Sequence, residues 1–230
     1  MKRGRRPMRR RLGIAAAIVA VAAGGIALLA QWPQTVAPVS PAIGAPADVV
    51  VQPGASGTDQ ADVLQAALDN LQPGQRLVLA PGSYLVGRVL AVRREQVVLS
   101  GYDATLVASN PDQQAIQITG ANSTLVGVTL KGTGTQRLES ATSAKVIVDG
   151  TGIQVLDVTI EGGASAGIFV SRGVGIALVG DKISGTLADG IHITGGSQDV
   201  LVQNSSVTAT GDDMVGIVSY QRDNAQTRNI

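Results

Sequence analysis

Residues 153–207 read IQVLDVTIEGGASAGIFVSRGVGIALVGDKISGTLADGIHITGGSQDVLVQNSSV. Within them IQVLDVTI (153–160), IALVGDKI (176–183) and VLVQNSSV (200–207) carry apolar residues at matching positions. Val155, Leu178 and Val202 correspond, as do Ile160, Ile183 and Val207, at a period of 23 to 24 residues. An earlier copy, STLVGVTL (123–130), precedes the first by 30 residues, and KGTGTQRLESATS (131–143) reads as an inserted loop that takes up the difference. A second series, VIV (146–148), GIFV (167–170), GIHI (190–193) and GIVS (216–219), keeps comparable steps.

A period in the twenties, built of short strands separated by Gly, Asn, Asp and Ser, is the signature of a solenoid. Leucine-rich repeats need a fixed Leu/Asn pattern that is missing, and a β-sandwich would show hairpin turns rather than aligned copies. The sequence therefore predicts an all-β fold, a right-handed parallel β-helix in which each coil adds one strand to each of several parallel sheets. Alternate side chains enter a narrow core that small and β-branched residues fill. This agrees with only five Trp, Tyr and Phe residues and with 29 glycines, about 13%, against a usual ~7%.

Outward from the repeats, Asp59 to Leu71 places Ala61, Leu64, Ala67, Leu68 and Leu71 on one face at helical spacing, with Thr58 or Asp59 available to cap the start. One amphipathic helix in a Gly-rich β chain predicts an N-terminal cap over an open end of the solenoid. At the other end, the closing residues Arg228-Asn229-Ile230 resemble the opening of another coil, so the β-helix domain, residues 48–230, is expected to be incomplete at its C-terminus.

Seven of the 18 basic residues fall within the first eleven positions, ahead of the uncharged run LGIAAAIVAVAAGGIALLA (12–30). Basic flank, apolar run and small residues describe a signal peptide over residues 1–30, or a membrane anchor if the run is not cleaved. Residues 31–47, QWPQTVAPVSPAIGAPA, read as a Pro/Ala-rich linker. Either version of the N-terminus predicts a protein secreted or held on the outer face of the cytoplasmic membrane, with membrane contact only through residues 12–30. Without the basic cluster, 11 basic groups face 17 acidic ones, a balance of −6. An acidic body with few aromatics excludes a nucleic-acid binder. No Cys and one His exclude thiolate and multi-histidine metal sites, and nothing calls for more than a monomer.

The stacking argument gives the acidic residues their interest. Asp189 precedes GIHI, and Asp212 and Asp213 precede GIVS, 23 and 24 residues later. Residues one coil apart lie about 4.8 Å apart in a parallel β-helix. Ile191 and Ile217 are expected to face inward, and Gly190, His192 and Gly216 outward. The three carboxyl groups are then expected on the order of 5–9 Å apart on one outer face, a range that covers both glycosidase geometries. Three carboxylates also suit an oxygen-rich Ca²⁺ site. Equally, Asp-Gly and Gly-Asp-Asp are ordinary turn residues, and every coil needs turns. Asp157, Asp181 and Asn204 read as turn residues.

LADGIHITGGSQDVLVQNSSVTATGDDMVGIVS (187–219) resembles the segment of polygalacturonase-type glycoside hydrolases that runs Asn-Thr-Asp-Gly, strand, Asn-containing coil, Gly-Asp-Asp. GTDQADVLQAALDNLQPGQRLVLAPGSYLVGRVLAV (57–92) is similar to the N-terminal cap and first coil of pectate-lyase-like β-helix proteins. The resemblance implies a polysaccharide substrate or glycan as partner, no cofactor, Asp212 as general acid, and Asp189 and Asp213 holding the hydrolytic water. His192 stands where the family usually has another acid, and Leu187-Ala188 replaces Asn-Thr. A polysaccharide lyase or epimerase of the same fold would use Ca²⁺ and a basic residue, which the aligned coil positions near the acids lack. A noncatalytic cell-surface β-helix is the third reading.

Overall fold

The computed structural model describes residues 47–230. The expected signal or anchor, and the linker up to residue 46, lie outside the described residues. Among the described residues no helix is long and apolar enough to cross a membrane.

Three parallel sheets run side by side along the chain, one of seven strands and two of six. The first sheet begins with Val49–Val51 and ends with Gln198–Gln203; the second runs from Gly82–Val86 to Ser206–Thr208; the third runs from Leu90–Val92 to Val215–Ile217. Every pairing joins a strand to its counterpart one coil away, so the chain is a parallel β-solenoid of about seven turns.

Each sheet contributes an inward row. In the first sheet Leu77, Leu99, Leu125, Val155, Leu178 and Val202 pair in succession; in the second, Tyr84, Leu106, Leu130, Ile160, Ile183 and Val207; in the third, Leu90, Ile116, Val146, Ile168, Ile191 and Val215. Apart from Val215, these three rows fill one continuous core, as the alternation of branched aliphatics in the repeats predicts. The final layer is thinner. Val215 is 42% exposed and Ile217 54%, against 0% for Ile191 and Ile193 directly beneath them.

The corner after each of the last four first-sheet strands is made by one residue at positive φ: Gly127, Asp157, Gly180 and Asn204. Asn and Asp tolerate this left-handed conformation better than other side-chain-bearing residues, which explains why the repeats place them there. The corners stack through backbone bonds, with Gly127 N donating to Leu156 O at 3.0 Å and Asp157 N to Val179 O at 2.9 Å.

The helix spans Ala61–Asn70, two residues later than the start expected from the sequence, and the Asp59 Oδ1 accepts the Ala61 N–H at 2.8 Å. Ala61, Leu64 and Leu68 join the solenoid core. The Gln65 side chain accepts the Ala91 N–H at 2.8 Å and donates to the Ala91 carbonyl at 3.0 Å. It thereby satisfies both backbone groups of a residue in the first strand of the third sheet, which has no strand on that side.

Candidate active site

The turn between the second and third sheets carries the acidic residues. In one coil it follows Lys182–Thr186 and leads through Asp189 into Ile191–Thr194; in the next it follows Ser206–Thr208 and leads through Asp212-Asp213 into Val215–Ile217. The two turns are locked in parallel register by Gly190 N donating to Asp213 O at 2.9 Å, Ile191 N to Met214 O at 3.0 Å and Gly211 N to Thr186 O at 2.8 Å. Position 190 must be glycine for this approach, because a Cβ there would lie 2.7 Å from the Met214 carbonyl oxygen.

Asp189, Asp212 and Asp213 are brought together. One carboxylate oxygen from each lies within 4.8 Å of the other two. Between these oxygens the separation is below the roughly 5–9 Å expected between carboxyl groups, and the register sets Asp213 on the coil directly adjoining Asp189. Asp189 is buried, whereas Asp212 and Asp213 are exposed. Two hydrogen bonds of about 2.8 Å meeting at a tetrahedral water span about 4.6 Å, so oxygens at the outer limit of that separation could share one water. Three convergent carboxylates are also a hard-oxygen donor set of the kind Ca²⁺ takes.

His192 is held beside Asp189. Its Nδ1 contacts the Asp189 Oδ2, leaving Nε2 as the ring nitrogen with no protein partner. The ring is stacked on Phe169 (centroids 5.3 Å apart, planes 2° apart), which occupies the same row one coil below. On the other side Tyr220 lies at 6.2 Å and 19°, with the Arg222 guanidinium 4.2 Å from the Tyr220 ring centroid. The position after His192 in that row is Gly216, where a Cβ would sit 2.8 Å from the Asp189 Oδ2 and 3.4 Å from the His192 Nδ1. The missing side chain leaves room for the Asp189–His192 pair.

This register corrects one expectation. GIHI and GIVS look equivalent, which would set Ile191 against Ile217. Instead Ile191 pairs with Val215 and Ile193 with Ile217, because the last coil is 24 residues long and not 26. An offset of two preserves the face, so Ile217 still lies on the inward row.

A cation that the sequence did not offer also reaches the cluster. Arg137, on the inserted loop, donates from Nη1 to the Asp212 Oδ2 at 2.7 Å and lies 3.4 Å from Glu139. The Asp212 hydrogen bond raises the guanidinium above its ordinary basicity against a small opposing effect of burial, with Glu139, Asp212 and Asp189 adding smaller attractions. The aligned repeats hide Arg137 because it belongs to no repeat. The available signal is that the insertion falls in the same turn of the coil as the acids. Phe169 was legible as the counterpart of His192 in GIFV and GIHI.

Asp157 and Asn204 occupy corners, as expected. Asp181 does more than turn the chain. It is wholly buried, its Oδ1 accepts the Val158 N–H at 2.9 Å, and its Oδ2 has no partner. Burial pushes its carboxyl up to about 7.

No family model matches the chain, and no curated protein matches it. Solved structures do. The catalytic domain of a GH87 α-1,3-glucanase in complex with nigerose superposes with a TM-score of 0.57 at 20% identity over 73% of this chain. Pectate lyase Pel9A gives a TM-score of 0.51 at 16% identity over 79% of it. The chain spans 31% of the glucanase chain and 57% of the lyase chain. At these identities the likeness establishes the fold alone, a parallel β-helix.

Proposed function

We propose that this chain is an exported, polysaccharide-active β-helix protein that cleaves glycosidic bonds with Asp189, Asp212 and Asp213. The observation that carries the reading is the convergence of three carboxylates from two successive coils, with oxygens within 4.8 Å, beside an imidazole fixed by Asp189. The two neighbours in fold are described as a glucanase and a pectate lyase, both acting on polysaccharides, which supports the substrate class. In this reading Asp212 transfers its proton to the glycosidic oxygen as the bond to the anomeric carbon breaks. A water held between Asp189 and Asp213 forms the new bond to that carbon, and its proton passes to one of those carboxylates. His192 orients Asp189 through Nδ1.

The test is release of reducing ends from α-1,3-glucan, pectate and a wider polysaccharide panel by the purified chain. Asp212→Asn is expected to reduce turnover by on the order of 10²–10⁴. An Asp212→Asn variant as active as the parent would sink the assignment.

A lyase or epimerase is the second reading, because Arg137 supplies a basic group 2.7 Å from Asp212. In that case Asp189, Asp212 and Asp213 are the residues that would hold Ca²⁺, which would bind a uronate carboxylate. Its mark is product carrying an unsaturated end, formed only with Ca²⁺ and stopped by chelation. Binding of a glycan without any product would favour a noncatalytic surface protein.

A further inference from the structure

We propose that residues 132–144 form a strap whose tip, Arg137, latches onto Asp212 and closes the site; the functional part of this rests on Asp212 being the group that must reach the glycosidic oxygen. Both feet of the strap close on one buried amide. The Gln114 side chain, 4% exposed, accepts the Thr133 N–H at 2.9 Å and donates to the carbonyls of Thr133 at 3.2 Å and Ser143 at 2.9 Å. Beside the tip, Leu138 N donates to the Ala164 carbonyl at 2.8 Å, so the backbone there is pinned to the following coil as well.

The tip is held differently. Arg137 meets Asp212 across 75 residues of sequence, and the two side chains remain 46% and 48% exposed. A pair that open to water biases an equilibrium by no more than about fivefold. The backbone of the strap is thus held at its feet and beside its tip, and only the Arg137 side chain is lightly fastened. Its fastening point is one of the three clustered carboxylates. The latched guanidinium occupies Oδ2 of Asp212, so the latched arrangement is the resting one and Arg137 must swing away before that oxygen can meet the glycosidic oxygen.

Two reciprocal measurements on the full chain decide this. Trypsin cuts after arginine, and cutting of the Arg137–Leu138 bond can be followed by mass spectrometry relative to the Arg172–Gly173 bond. Asp212→Asn is expected to speed the first cut about three- to fivefold against that internal reference, and Asp213→Asn to leave it unchanged. Conversely, Arg137→Gln is expected to raise carbodiimide amidation of Asp212 relative to Asp213 by a similar factor, with an unchanged circular dichroism spectrum. No change in either ratio, or equal acceleration by Asp213→Asn, overturns the latch. Where the parent hydrolyses substrate, without forming an unsaturated end, Arg137→Gln is expected to exceed its rate; a loss as deep as that of Asp212→Asn would make Arg137 part of the machinery and overturn the proposal. Absence of turnover in every variant counts against the hydrolase reading alone, since protease and amidation still decide the latch.

Discussion

Lys145 sits with its amine inside the solenoid and one acceptor, the Gln114 carbonyl, at 3.0 Å. Burial lowers its pKa from 10.5 to about 7, so the folded chain binds fewer protons than the unfolded chain between those values and stability rises with pH across that window. Asp181 works in the opposite sense. Its carboxyl is raised from 3.8 to about 7, giving stability that is full below pH 4 and lost as the pH climbs to 7. Together they predict a stability minimum near neutrality, each limb being on the order of a few kcal/mol. Urea denaturation at pH 4.5, 7 and 9.5 measures it. Lys145→Met is expected to flatten the alkaline limb and Asp181→Asn the acid limb, both raising stability at pH 7. A profile with its maximum at pH 7 would contradict both assignments. At the site, Gly216→Ala would press a methyl group against the Asp189 oxygen, which lies 2.8 Å from the Cβ position. Turnover should fall at least tenfold while the melting temperature moves by only a few degrees.

Among the elements, the helix Ala61–Asn70 packs Leu64 and Leu68, both at least 98% buried, into the core. Leu64→Ala or Leu68→Ala should cost about 2–5 kcal/mol in chemical denaturation. Gln65→Ala strands both backbone groups of Ala91 and should cost about 1–3 kcal/mol. The helix was legible because its apolar spacing is local. The strand rows were legible because a parallel register repeats the same face every coil, and the convergence of Asp189 with Asp212 and Asp213 follows from that register alone. What escaped were the features outside the period. GIVS imitates GIHI but starts two residues late, a slip that the alternation of faces cannot reveal. Arg137 lies in an insertion, where no counterpart one coil away can say where it points. Its partner is set by the fold of the strap, and the sequence shows only that the insertion falls in the same turn of the coil as the acids.

Across the whole molecule, contacts run between adjacent coils, so local stability should vary along the axis. For this chain, amide exchange is expected to be slowest in Val146–Val148 and Ile168–Ser171, which have a strand on each side. It should be at least tenfold faster in Ser206–Thr208 and Val215–Ile217, the outermost strands of their sheets. Uniform exchange along the axis would argue for a single cooperative unit instead.

The strap begins after Thr129–Lys131, three strands below Ser206–Thr208 in the second sheet, yet it fastens to the turn that follows the upper strand. Its reach is therefore counted in coils, like a vernier read against a ruled scale. Inserting one whole repeat between the strap and the acids would leave Asp189, Asp212 and Asp213 in mutual register while carrying them about 4.8 Å beyond Arg137. Coil number alone would then decide whether the cluster is fastened or free, with every residue of the cluster unaltered.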